Sequence, residues 1–442
     1  MYRKFSNIIT QVFVCLALVL QSCREESDMS VPYVNNGILD FSEANLSLEG
    51  QFNAIWAGMN SNYPIWDYEE KHGLNWDDVY DKYIESFREL DKVYDVHNPV
   101  PDSIVVSLYQ EMFEPLHDGH LALVLKNIHT QKEISTIISP SYSQLSDEAD
   151  NMLRQEELAY LEHDFEPSLD YYVENGEIEE WREVPNFFNG DNYIYGKFKD
   201  GIVYYRLPEF NLTERFEEKE VSSYNKMVCQ IWECWFKTIQ DLHQENSLKG
   251  IIIDLRNNDG GSSADFQYVL GALLEGNTTK GNKKYHQVGF LRQKTGIARL
   301  DYSSLVDYYF YIYEDTHVHV EVPIVVLVND LCLSMSEQTC LAAKQLKNGY
   351  VIGTKTGGGF SPIIPYSDRM SFVGSVGDLE LKSAPFYIYI PDAAFFSMDK
   401  EIIEGHGIEP NETVCLDWSS HETTGKDNQL DRALEYIRTK QQ

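Results

Sequence analysis

Three short apolar runs constrain this chain most: Ile202-Val-Tyr-Tyr-Arg-Leu207, Ile251-Ile-Ile-Asp254 and Ile324-Val-Val-Leu-Val328. Each reads as a buried strand, and helical segments separate them. That alternation predicts an α/β fold whose core is a βα-rich sheet. Upstream the pattern differs. From Gln51 to Lys92, Phe52, Ile55, Trp56 and Met59, then Val79, Tyr80, Tyr83, Phe87 and Leu90, recur at helical spacing, with Asn75 placed to start a helix at Trp76. Another helix is expected from about Asp102 to Leu116 and a strand over Leu121–Leu125, with His117-Asp118-Gly119-His120 as the turn between them. Residues 128–195 hold an acidic helical stretch (Ser146–Glu162) and polar, turn-rich segments, and no PDZ-like pattern stands out there.

The first 22 residues carry Arg3 and Lys4, no acid, and an apolar run from Val12 to Leu20 that is short for a membrane span, which is the layout of an export signal. Leu20-Gln21-Ser22-Cys23 resembles the bacterial lipobox, which implies cleavage before Cys23 and acylation of its thiol; an ordinary signal with an incidental cysteine is the alternative. The polar stretch after Cys23 reads as a tether. The expected organisation is therefore a lipoprotein signal (1–22), a tether (23–45), a helical domain ending in the Asp-Gly-His turn (46–127), a variable middle segment (128–198) and a core domain (199–442). The expected location is the bacterial cell envelope, lipid-anchored in the outer membrane and facing either the periplasm or the surface.

Acidic residues number 70 against 36 basic ones in the 442, a net charge of −34. Such a surface repels nucleic acid and anionic lipid head groups, which leaves the lipid anchor as the route to a membrane. The cysteines beyond Cys23 (Cys229, Cys234, Cys332, Cys340 and Cys415) form no C-x-x-C pair, and read as mostly buried thiols in place of a disulfide framework or zinc site.

Four segments could carry chemistry. Gly250-Ile-Ile-Ile-Asp-Leu-Arg-Asn-Asn-Asp-Gly-Gly261 sets a buried strand before a Gly-rich turn, whose N–H groups can face an incoming oxygen or simply connect strand to helix. Val328-Asn-Asp-Leu-Cys-Leu-Ser-Met-Ser-Glu337 puts Ser334 at a strand-to-helix junction, where it suits a nucleophile, although Ser334-x-x-Glu337 is also a capping box. His117 and His120 are candidate general bases or solvated turn residues; their H-x-x-H spacing could hold a metal, but no third ligand stands out nearby. Glu404 in Glu401-Ile-Ile-Glu-Gly-His-Gly-Ile-Glu-Pro410 could orient a base, or its loop could merely turn the chain.

In this order the pieces resemble the tail-specific, or C-terminal processing, serine peptidase family, with the tricorn core peptidase and the interphotoreceptor retinoid-binding protein among its relatives. The likeness covers Leu116–His120, 201–207, 254–261, Ser334–Glu337, the Gly-Thr-Lys-Thr-Gly-Gly-Gly of 353–359, and 404–410. It implies a crotonase-like or ClpP-like core sheet, Ser334 as nucleophile, and oxyanion N–H groups from Met335 and from Gly260 or Gly261. It implies no metal or organic cofactor, and a peptide or protein substrate. Bacterial members use a lysine in T-x-G-K-G as base; here Gly359 stands at that place, and Lys355, four residues earlier, is the alternative base. Tricorn-like members use an upstream histidine and a C-terminal glutamate, which match His120 and Glu404. Those members also carry a serine just before the histidine, where this chain has Gly119. A non-catalytic peptide- or lipid-binding lipoprotein of the same fold is the rival reading, and a glycan hydrolase using paired carboxylates explains none of the ordered motifs.

Overall fold

The computed structural model describes residues 46–136, 165–186, 191–296, 298–313, 317–362, 386–391 and 393–441. The signal segment, Cys23, the tether and the acidic stretch 146–162 lie outside them.

The N-terminal part is helical: α1 (Leu48–Asn62), α2 (Trp66–Lys71), α3 (Trp76–Val93) and α4 (Asp102–Phe113). Asn75 caps α3 through its side chain, which accepts from Asp77 N. Trp56 and Trp76 hold α1 against α3 by reciprocal indole-to-carbonyl bonds of 2.8 and 3.0 Å, so the buried ring of Trp76 and the half-buried ring of Trp56 both have their polar edges satisfied. The apolar stripes of these helices close over Phe52, Phe87 and Tyr109, together with β1 (Ala122–Lys126). β1 lies between β2 (Glu133–Thr136) and β12 (Phe386–Tyr389), both antiparallel to it.

The core sheet has seven strands: β3 (Ile178–Pro185), β4 (Asn192–Phe198), β5 (Ile202–Arg206), β6 (Gly250–Asp254), β10 (Ile324–Val328), β11 (Gly349–Gly353) and β14 (Glu412–Thr413), in the order β14-β11-β10-β6-β5-β4-β3. From β5 to β14 neighbours are parallel, and β3 and β4 are antiparallel at one edge. A smaller sheet holds β7 (Thr278–Lys280), β8 (Lys283–Gln293), β9 (Val306–Ile312) and β13 (Ala393–Phe396). The described residues thus form a mixed α/β fold with a helical N-terminal part.

β5, β6 and β10 are buried throughout because both faces of the sheet are covered. Val203, Ile251, Ile253, Val326 and Val328 face one layer with α5 (Ser223–Gln244), while Tyr204, Ile252, Val325 and Leu327 face the other with α7 (Asn428–Thr439). α6 (Met335–Lys344) follows β10 on the α5 side.

One expectation needs correction. The core sheet begins before residue 199: Ile178, Tyr193, Tyr195 and Phe198 of the middle segment are buried strand residues, and polar residues on the exposed face of β3 hide that pattern. The turn after β6 leads into a helix, a 3-10 helix at Ser263–Tyr268 capped by Ser262. The five cysteines beyond Cys23 are free thiols; Cys229, Cys332 and Cys340 are buried, Cys234 is half-buried and Cys415 is exposed.

Beneath the sheet, Arg256 is fully buried and bonds Asp254 (2.5 Å), Asp427 (2.7 Å) and Gln429 (2.8 Å), tying the end of β6 to α7. Removing one member of such a network leaves an uncompensated charge. Arg256→Met is expected to lower unfolding free energy by about 3–5 kcal/mol in urea titration, against little change for the exposed Lys237→Met.

Candidate active site

The chain leaves β10, turns through Asn329–Leu333 and enters α6 at Ser334. Ser334 has φ 54° and ψ −115°, a region that residues with a Cβ avoid, at a cost of about 1–3 kcal/mol. Its N–H donates to Gly359 O (2.8 Å) and to the Glu337 carboxylate (3.2 Å), which holds the strained turn in place. Glu337 is buried and also accepts from Thr356 Oγ1 (2.6 Å) and Gly358 N (2.9 Å). One carboxylate therefore ties the serine's turn to the loop after β11. Burial pushes its pKa up to about 8 despite those donors.

The turn after β6 backs directly onto the serine. Gly260 has φ +105°, and a Cβ there would stand 2.7 Å from Ser334 Cβ and 2.9 Å from Met335 N, so only glycine fits. The Gly260 N–H is already given to Asn258 Oδ1 (2.8 Å). The N–H groups of Gly261 and Met335 have no hydrogen-bond partner among the described residues, and Met335 N opens α6, at its positive end. An anionic oxygen beside Ser334 could take both.

On the other side lie Asp118, His120 and Glu404, whose ligand-capable atoms are all within 4.8 Å of one another. Asp118 folds its own turn by accepting from His120 N (2.8 Å). His120 is half-buried, its Nδ1 has no partner, and desolvation lowers its pKa to about 4. Glu404 is buried and accepts from Phe360 N (3.0 Å), Ser361 N (2.5 Å) and the Gly119 backbone; burial still raises it to about 7. Asp118 is raised by burial first and by the Glu404 charge second.

Gly119 explains how these loops meet. A Cβ there would stand 2.5 Å from Gly359 Cα, so the serine that tricorn-like sequences carry at this place has no room, and the Gly119 N–H reaches Glu404 instead. Gly359 in turn accepts from Ser334 N, so His120's turn and the serine's turn both rest on residue 359. Ser334 and His120 are not hydrogen-bonded to each other. Lys355 pairs with Glu409 at 3.5 Å. His117, the other turn histidine, gives its Nδ1 to buried Glu69 (2.8 Å). Sequence reasoning passed over Asp118 as a functional residue, gave Glu337 only a capping role and did not single out Ser361. Asp118 stood in the motif, but its approach to Glu404 bridges nearly 290 residues of chain.

A serine on a strained strand-to-helix elbow is an arrangement that serine-type hydrolases use for a nucleophile. The family match is narrower: residues 201–414, just under half of the chain, fit the model of Peptidase family S41. Among solved structures, the chain is similar to a putative peptidase from Parabacteroides merdae, at 19% identity and a TM-score of 0.57, over 88% of this chain and 96% of that one. It is also similar to mature CPAF, at 11% identity and a TM-score of 0.53, over 89% and 96%. At those identities the likeness is one of fold. No curated protein matches the chain by sequence.

Glu337→Gln keeps the size of the side chain but replaces one oxygen, which can accept even when protonated, by an amide nitrogen that cannot, facing either Ser334 N–H or the Thr356–Gly358 pair. It is expected to lose about 1–3 kcal/mol of stability. Because the native state holds a proton on Glu337 up to about pH 8 and the unfolded state only to about 4.5, wild-type stability falls as pH rises across that window. Urea titrations at pH 5 and pH 8 check both points: the variant removes this group's share of the fall.

Proposed function

We propose that the protein is a serine peptidase of the C-terminal processing type, acting on peptide or protein substrates through an acyl-enzyme on Ser334. The observation that carries the reading is Ser334 itself, strained at the head of α6 with Gly260 packed against it, while the N–H groups of Met335 and Gly261 have no partner among the described residues. Ser334 Oγ attacks the peptide carbonyl carbon while His120 takes its proton. The carbonyl oxygen, now an anion, lies against the N–H groups of Met335 and Gly261. The C–N bond then breaks, His120 returns the proton to the leaving amine, and a water activated by the same imidazole hydrolyses the ester.

His120 and Ser334 close the remaining distance when substrate binds, as catalytic hydrogen bonds do in many unliganded enzymes. Glu404, with Asp118 beside it, stabilises the imidazolium that forms. Gly261 serves the oxyanion in preference to Gly260, whose N–H is engaged by Asn258. Lys355 is left out of the mechanism because Glu409 holds it.

A second reading, a peptide- or lipid-binding protein of the same fold, draws on the missing Ser334–His120 bond and on Gly359 in the lysine's place. A fluorophosphonate probe separates the two. Labelling of Ser334, mapped by mass spectrometry, is expected in the wild type and in Lys355→Ala, and is expected to fall about a thousandfold in His120→Ala. The labelling rate should hold down to about pH 5 and drop as His120 is protonated near pH 4, below the ordinary histidine range. A folded protein in which Ser334 never labels would leave the binding reading standing.

We further propose that Cys23 anchors the mature protein in the bacterial cell envelope by acylation. Cys23→Ala is expected to move the protein from the membrane pellet to the soluble fraction of the producing cells.

A further inference from the structure

The cluster behind the serine contains more than a base and its orienting acid. Asp118 is fully buried, and neither its Oδ2 nor the buried His120 Nδ1 has a hydrogen-bond partner among the described residues. Glu404, also buried, completes a triangle of donor atoms no more than 4.8 Å on a side. Two desolvated carboxylates and an imidazole with unspent lone pairs, facing one another, form an arrangement short of one positive charge.

We propose that Asp118, His120 and Glu404 bind one divalent transition-metal ion of the zinc class, and that the bound ion holds the peptidase off. The proposal rests on the reading of His120 as the base. Its donor set, one imidazole nitrogen and two carboxylate oxygens, suits Zn2+ and its neighbours. Bond lengths of about 2.0–2.2 Å require the donor atoms to draw together by at most about 1.5 Å, within reach of side-chain rotation.

The surrounding bonds fit the role. Asp118 already fixes the turn through its other oxygen, while Phe360 N, Ser361 N and Gly119 N orient Glu404. Hydrogen-bonded carboxylates of this kind are the usual support of a metal site. The third ligand that the H-x-x-H spacing lacked is supplied from the far C-terminal loop, and His117 is replaced by Asp118 because Glu69 holds His117. An imidazole bound to a dication cannot accept a second proton without placing two positive charges on one ring, so the metal-bound His120 fails as a base. Metal binding and Ser334 activation exclude each other.

The full chain, purified in detergent and stripped with a chelator, is titrated with Co2+ and followed by its visible absorption; Zn2+ is then titrated against fluorophosphonate labelling of Ser334. One equivalent of Co2+ is expected in the wild type and in Ser334→Ala, and none in Asp118→Asn or in His120→Gln, each checked for folding by thermal melting. Zn2+ should lower labelling at least tenfold, and chelator should restore it. Co2+ binding that survives both variants but vanishes in His72→Ala would place the metal in the outer ring cluster of His72, His117 and His406 and overturn the proposal. Absence of stoichiometric binding overturns it equally. Co2+ binding at the predicted ligands without loss of labelling overturns the switch, whereas metal-free Ser334 that never labels overturns the base reading on which the switch rests.

Discussion

The buried carboxylate of Glu337 is the tie on which the rest of the site depends. A serine at φ 54° relaxes unless something outbids the strain, and three donors converging on one desolvated acid do so. Two of those donors, Thr356 and Gly358, belong to the loop after β11, so the same carboxylate carries that loop to the serine. Gly358 O then accepts from Gly405 N (2.8 Å), and Thr356 exchanges bonds with Ile408, which brings the Glu404 loop along. The parallel strands β10 and β11 end side by side, which is what lets the two segments that follow them reach one acid.

The structure accounts for one of the two departures from the family's patterns. A Cβ at Gly119 would stand 2.5 Å from Gly359 Cα, so a serine before His120 would push the glycine-rich loop away, whereas a Cβ at Gly359 would meet Gly119 at an ordinary 3.4 Å. In exchange, the Gly119 N–H touches Glu404 itself, and the acid stays linked to the histidine's turn through the backbone.

Electrostatics inside the site run opposite to the surface. Outside, 70 acids outnumber 36 bases and stay solvated. Inside, Asp118, Glu337 and Glu404 are all pushed up by burial, while His120 is pushed down by the same cause. Desolvation therefore keeps the His120 imidazole neutral at neutral pH, the form in which a general base must stand before the reaction.

Much of the architecture was legible in the chain. Unbroken apolar runs at 202–207, 251–254 and 324–328 require cover on both faces, which only a layered α/β core supplies, and the ordered motifs carried the family with them. Ser334 stood at its strand-to-helix junction in plain sight, since local spacing decides such turns. The edge strands β3 and β4 were not legible, because one exposed face dilutes an apolar pattern with charge. Nor was the bond from the Gly260 N–H to the Asn258 side chain, which sets the two glycine N–H groups of that turn apart. The meeting of Asp118, His120 and Glu404 was beyond any local pattern: it depends on glycines 119, 358 and 359 letting backbones approach within van der Waals contact. Local propensity acts over a few residues and is written in the sequence, whereas the burial that shifts these acids, and the neighbours that share their protons, exist only once distant loops have been packed together.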